Sequence, residues 1–389
     1  MTTVTIPSDP TTPLDAPAPA RTTPLSTTIR IATRKSTLAR VQTALVSAAL
    51  TKAFPSYTTQ IIALDTVGDV DKSTPLHSFN AKALWTTELE DLLEKGEVDM
   101  IVHSLKDMPT QLPRGLVLGC VTEREDARDA VCIAPALEGK GVKTLGQLER
   151  GSVVGTSSLR RSAQLKRRFP GLEFKDVRGN VGTRLGKLDA EGGEYAALIL
   201  AAAGLRRLGL ERRISSLLSS GEGGVLHAVG QGALGIEIRG DDERMREVCE
   251  GIGEERSWRA ALAERSVMRT LEGGCSVPIG VETEWVKKGT GIAGAGAGVG
   301  VKPSAEYDGV TGLAKDEDER SDELLLRGIV VSLDGQQAVE AEMRRVIKSR
   351  EEADEFGWDM AQKLVEGGAA KILEDINLNR KIIQEQGGA

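Results

Sequence analysis

At 389 residues the chain is long enough for two or three domains, and 40% apolar residues make it globular rather than disordered. The longest apolar run, residues 196–205, is about half a membrane span, which argues against a membrane protein. Four scattered cysteines (Cys120, Cys132, Cys249, Cys275) and three isolated histidines argue against structural zinc or a disulfide framework, and fit a reducing compartment. The net charge of −7 conceals an asymmetry: residues 156–213 carry 13 Lys+Arg against 6 Asp+Glu, so a segment that attracts anions sits in an acidic chain.

Residues 1–28 hold 17 Ser, Thr or Pro and a single Arg. Without an apolar stretch they make no secretory signal, and Asp9 and Asp15 argue against a transit peptide; the expectation is a disordered tail on a cytoplasmic protein. Residues 29–33 are strand-like. Ser36 or Thr37 can cap a helix with the apolar stripe Leu38, Val41, Leu45 and Ala49, closed by Pro55. A second strand is expected over 60–67, a helix over 86–95 stopped by Gly96, and a buried strand over 98–102. The pattern restarts with a strand at 152–155, a helix at 158–168, a strand at 174–177, a helix at 181–188 and a strand at 197–202. Strands alternating with helices imply βαβ units and parallel sheets, and two such units enclose a cleft. From about Gly253 the style changes to a helix (257–271), a Gly-Gly-Cys loop, a β segment (324–333) and a helix (349–365), a third, α+β domain. Within it residues 286–323, rich in Gly and Ala and then acidic, read as a disordered surface insertion.

Gly230-Gln231-Gly232-Ala233-Leu234-Gly235 fits the dinucleotide pattern, but it runs into strand-like Ile236-Glu237-Ile238 instead of a helix N-terminus, so a tight backbone crossing is the better reading. Thr156-Ser157-Ser158-Leu159-Arg160-Arg161 joins hydroxyls, free N–H groups and guanidinium forks at a strand-to-helix turn. Arg178-Gly179-Asn180, Arg184 and Arg206-Arg207 follow at the next two turns. In a parallel sheet these turns share one edge, so the arginines converge on an anion, and arginine favours planar carboxylates. A scattered, solvated face is the bland alternative. Nucleic acid is disfavoured because only Phe169, Phe174 and Tyr195 could stack bases. His103-Ser104-Leu105-Lys106-Asp107-Met108-Pro109 ends the buried strand of the first unit. It is either a capped turn or a carboxylate that stabilises a cation or donates a proton, with Lys106 beside it for anions. Cys275 stands alone on a constrained loop and has no histidine near it in sequence.

These stretches, with Arg30-Ile31-Ala32-Thr33-Arg34-Lys35-Ser36, Glu123 to Ala130, Val177 to Leu185, Ala203 to Leu210 and Leu271 to Gly280, closely resemble the porphobilinogen deaminase (hydroxymethylbilane synthase) family. The resemblance runs almost continuously from Thr28 to Val281 and returns, weaker, from Leu324. It implies two α/β domains of the type II periplasmic-binding-protein kind around a cleft, 29–122 with 225–248 and 123–224, plus a third domain over 253–389. It further implies head-to-tail condensation of four porphobilinogens with loss of ammonia, on a dipyrromethane cofactor attached to Cys275 as a thioether. The catalytic acid falls on Asp107. Carboxylate-binding roles fall on Arg34, Ser36, Lys106, Ser158, Arg160, Arg161, Arg178, Arg184 and Arg207, with Thr156 and Ser157 adding hydroxyl contacts and Lys82, Ser104 and Gly179 completing the site.

The lid loop departs from the family pattern: Asn80-Ala81-Lys82-Ala83-Leu84-Trp85 lacks the usual glycines, and Ser78 stands where a second lysine is common. Porphobilinogen is the expected partner, with no metal, nucleic acid or membrane and a monomeric state. A non-enzymatic anion-binding module is the alternative, and the Cys275 domain counts against it.

Overall fold

The computed structural model describes residues 27–66, 85–271, 277–288 and 320–386. Lys82, Cys275, nearly all of the N-terminal tail and residues 289–319 of the insertion lie outside them. The insertion is narrower than its composition implied, because residues 286–287 and 320–323 belong to paired strands.

The first sheet contains β1 (Thr28–Arg34), β2 (Thr58–Leu64), β3 (Met100–Ser104), β4 (Leu116–Val121) and β10 (Leu234–Arg239), in the order β2-β1-β3-β10-β4. The second contains β5 (Asp129–Ile133), β6 (Val153–Gly155), β7 (Glu173–Lys175), β8 (Ala197–Ala201) and β9 (Ser216–Leu218), in the order β7-β6-β8-β5-β9. Each has a parallel trio, as expected. Beside each trio lies an antiparallel strand, which corrects the expectation of wholly parallel sheets. The reason is connectivity: β10 reaches the first sheet only after the chain has built the second, and an antiparallel partner needs no crossover helix. The chain therefore crosses between the sheets twice, through residues 122–128 and 219–233, giving two lobes of like topology.

Helix α1 (Thr37–Ala53) starts at Ser36, whose hydroxyl accepts from Ala39 N at 3.4 Å. Its buried face is Ala39, Gln42, Thr43, Val46 and Leu50, one step round from the expected stripe, and Leu45 is 50% exposed. Two polar residues on the buried face explain the offset. Thr43 Oγ1 donates to Ala39 O at 2.9 Å and Gln42 pairs with Ser104, so both go inside without loss. Helix α2 (Thr87–Glu94) covers the other face of the first sheet. Helices α3 (Leu159–Arg168), α4 (Val181–Asp189) and α5 (Ala202–Arg207) serve the second sheet.

After α6 (Glu243–Ile252) the long α7 (Glu255–Thr270) enters the third unit. That unit is an antiparallel meander of β11 (Ile279–Lys287), β12 (Arg320–Val331) and β13 (Ala338–Val346), packed on α7, α8 (Arg350–Glu366) and α9 (Ala369–Gln386). Helices α7 and α8 touch at Gly357, where a Cβ would stand 2.1 Å from Ala263 O, so only glycine fits there. All three units meet at Glu264 of α7, which is 0% exposed. It accepts from Arg124 Nη1 (2.7 Å) and Nη2 (3.0 Å) in the first crossing, Gly230 N (2.8 Å) in the second, and Thr283 Oγ1 (2.6 Å) on β11. Burial alone would raise this carboxyl's pKa; the Arg124 charge holds it below its usual value.

Candidate active site

Strand β3 ends at Ser104 and turns through one 3-10 turn, Leu105–Asp107. Leu105 is buried and anchored by Leu105 N to Ala233 O at 3.0 Å, which leaves Asp107 half-buried at the strand's C-terminal end. Asp107 lines a hollow with Arg34 from the end of β1, Gln42 of α1, Trp85, His103 and Ser104. The Arg34 guanidinium lies 4.0 Å from the centre of the Trp85 ring, and Gln42 Nε2 donates to Ser104 Oγ at 2.8 Å.

Lys106 and Asp107 face the second lobe. Burial pushes the Lys106 ammonium down to about 8; Asp107 and Asp129 work against the fall, while Arg161 and Arg160 deepen it. Arg184 is lowered to about 10, again by burial first and then by Arg161 and Arg178, with Asp107 opposing. Asp107 therefore shares one field with Lys106, Arg178, Arg184 and the Arg160–Arg161 pair, although these residues come from both sheets.

The turns of the second sheet support this arrangement locally. Ser157 Oγ donates to Val177 O at 2.9 Å and accepts from Val177 N at 3.1 Å, which ties the ends of two neighbouring strands. Ser158 caps α3 by accepting from Arg161 N, and Thr156 Oγ1 accepts from Ser158 N at 3.3 Å. Asn180 caps α4, accepting from Thr183 N at 2.8 Å. Gly179 before it has φ 114°, and its carbonyl receives Arg184 Nε at 2.7 Å.

Some expected anion-binders point elsewhere. Arg160 and Arg161 are buried, 5% and 6% exposed, and both bind Asp129 of β5: Arg160 Nη1 at 2.8 Å from Oδ2, Arg161 Nη2 at 2.7 Å from Oδ1. Gln231 Nε2 adds a bond to Asp129 Oδ1 at 2.8 Å, and Arg160 Nη1 also reaches Leu226 O at 2.6 Å. A carboxylate 1% exposed on a core strand needs cations, and these two supply them. Burial would raise the Asp129 carboxyl, yet the two arginines hold it far below the usual range. Arg207 Nη2 donates to Gly232 O at 2.7 Å in the second crossing, and Arg206 binds Glu125 and Asp126 in the first. Ser36 serves as the α1 cap. The glycine run at 230–235 leads into β10, as its flanking residues implied. Gly232 has φ 89°, and a Cβ there would stand 2.2 Å from Glu125 O, because the two crossing segments touch.

Sequence reasoning missed Asp129, Gln42 and the Arg124–Glu264 joint. For Asp129 the signal was an acid opening the apolar run Ala130-Val131-Cys132-Ile133; Gln42 carried none. Among the described residues no group of three His, Cys, Asp or Glu could hold a metal, and no helix is long and apolar enough to cross a membrane. The arrangement can bind a ligand with several carboxylates while keeping one acid beside it.

Residues 29–247 match the family model described as "Porphobilinogen deaminase, dipyromethane cofactor binding domain", and residues 258–293 the one described as "Porphobilinogen deaminase, C-terminal domain". Porphobilinogen deaminases of Yarrowia lipolytica, Neurospora crassa and Saccharomyces cerevisiae are 49%, 48% and 43% identical over 350, 357 and 358 residues. These alignments span 89%, 91% and 91% of this chain and 92%, 95% and 98% of the relatives. The chain belongs to the porphobilinogen deaminase family. The part matched to the family's cofactor-binding domain contains both lobes, the Asp107 turn and every cation described above. The shorter match covers most of α7 and all of β11, on either side of residues 272–276.

Proposed function

We propose that this protein condenses four porphobilinogens head to tail, releasing ammonia from each and then the linear tetrapyrrole 1-hydroxymethylbilane, and that it is a transferase with its dipyrromethane on Cys275. The observation that carries this reading is one half-buried carboxyl, Asp107, in a field of cations contributed by both lobes. The donor set fits a polyanionic pyrrole chain: Arg34, Lys106, Arg178 and Arg184 supply charge for acetate and propionate groups, with Thr156, Ser157, Ser158 and the Gly179 turn around them. When bound, dipyrromethane supplies a free pyrrole α-carbon as nucleophile and remains attached while product leaves.

The protein's own groups act on the incoming substrate. The Asp107 carboxyl gives its proton to the aminomethyl nitrogen as the C–N bond breaks, so ammonia departs with the electron pair of that bond. The resulting carboxylate then faces the cationic methylene-pyrrole, and the low dielectric of the half-buried turn strengthens the attraction. A C–C bond forms, the displaced α-hydrogen leaves as a proton, and Asp107 is available to take it. Arg160 and Arg161 contribute through Asp129, as two positive charges against one negative behind the cleft. Arg207, Ser36 and Ser104 hold the surrounding backbone and side chains, and Lys82 joins the carboxylate-binding set. The working division is 29–122 with 225–248, 123–224, and 253–389. An intact mass of the purified protein tests the reading: active wild-type protein should exceed its polypeptide mass by two pyrrole units, and a bare mass in active protein overturns it.

A further inference from the structure

The turn that carries Asp107 is gripped on both sides by buried charge. Upstream, His103 of β3 stands opposite Gly235 of β10, and its Nε2 meets Glu237 Oε2 at 2.8 Å, with Glu237 0% exposed. Downstream, Arg265 of α7 is buried and reaches across to the two residues after Asp107. Its Nη1 donates to Met108 O at 3.3 Å and its Nη2 to Pro109 O at 2.5 Å. The two grips are electrically joined. Burial and then Arg269 lower Arg265 to about 10, with Glu237 pulling the other way. Glu237 Oε1 is buried without a hydrogen-bond partner, and Glu90 of α2 faces the same carboxylate. Buried charges of this kind add little to stability compared with apolar side chains of the same size. What they do here is fix the strand end four residues before Asp107 and the backbone of the two residues after it.

We infer that His103, Glu237 and Arg265 are positioning residues, a bracket that holds the Leu105–Asp107 turn so that the Asp107 carboxyl meets the substrate at a single distance. This rests on Asp107 being the acid. An error of about 1 Å in such a group costs on the order of a hundredfold in rate. Of the cations that bind substrate carboxylates, Arg34, Arg178 and Arg184 are anchored elsewhere while Lys106 rides on the turn itself, so loosening the bracket should cost far more in turnover than in binding.

The test uses the full chain loaded with its cofactor, with rates expressed per bound dipyrromethane. Arg265→Met should lower kcat by about tenfold or more while KM for porphobilinogen stays within about twofold. Arg265→Lys should recover part of the loss, because an ammonium still reaches one of the two carbonyls. Glu237→Gln, isosteric and still able to bond His103, should give a smaller fall in kcat with KM again within about twofold. A lower melting temperature with wild-type kcat per loaded site would show a merely structural role and overturn the inference. If Arg265→Met does not fold, Glu237→Gln decides by the same criterion. Asp107→Asn run alongside separates the two readings: full turnover in that variant removes Asp107 as the acid, whereas an inactive Asp107→Asn beside fully active bracket variants removes the bracket alone.

Discussion

Replacing Asp129 with asparagine tests how far the basic segment serves the fold as well as the ligand. The substitution keeps the size of the side chain and one acceptor, Oδ1, which Arg161 Nε (3.0 Å), Arg161 Nη2 (2.7 Å) and Gln231 Nε2 (2.8 Å) use. It replaces Oδ2, 2.8 Å from Arg160 Nη1, by an NH2 group, so a donor faces a donor. Two buried guanidiniums then lose the counter-charge they share. Breaking such a buried pair costs about 3–5 kcal/mol, which corresponds to roughly 6–20 °C in Tm for a domain of this size. The sign of the pH dependence follows from the carboxyl's depressed pKa. Its contribution is complete above the unfolded value of about 3.9 and is lost only as pH falls through the much lower folded value. Parallel melts followed by circular dichroism at pH 7 should therefore show the full gap between wild type and Asp129→Asn, unchanged down to about pH 5. A variant that melts within about 2 °C of wild type at pH 7 would mean that the pairing is worth under about 1 kcal/mol, and would refute the account.

Other outcomes follow from the same geometry. Asp107→Asn should fold normally and lose about a hundredfold or more in turnover, with Asp107→Glu retaining part; a loss of only a few-fold in steady-state assays removes Asp107 from its role. Cys275→Ser should yield protein of bare polypeptide mass with almost no activity, because a hydroxyl is a far weaker nucleophile than a thiolate; mass spectrometry and turnover assays check both. Lys106, lowered to about 8, is protonated below that pH and neutral above it, so KM for the anionic substrate should climb between pH 7 and 9. Lys106→Arg should hold KM flat across that range, and a flat wild-type profile would show that this ammonium does not bind substrate.

The alternation of strands and helices was legible because apolar periodicity and cap residues are local properties: Ser36, Ser158 and Asn180 each begin the helix that their chemistry favours. What escaped was decided by partners far away in sequence. The stripe on α1 was misphased because Gln42 finds Ser104, 62 residues on, and so can be buried. Arg160 and Arg161 looked like cleft-edge forks because nothing in their own segment discloses that Asp129, some 30 residues earlier, lies beneath them. The antiparallel strand of the first sheet depends on a return from residue 234 that no local pattern records. The candidate site was legible as a set of residue types at strand ends, but not as the choice of which cations face the ligand and which face the core.

The joint at Glu264 limits how the molecule can bend. A carboxylate bonded at once to both crossing segments and to the third unit is a fixed point, and rigid parts that share a fixed point can rotate about it but cannot slide past one another. Displacement in a rotation grows with distance from the pivot, so the outer rims of the lobes travel furthest. Arg265 is the next residue along the chain, and it holds the Asp107 turn. Asp107, held through Arg265, therefore sits close to the axle, where its distance from α7 changes least. Any widening between the lobes is taken up at the rim, away from Asp107.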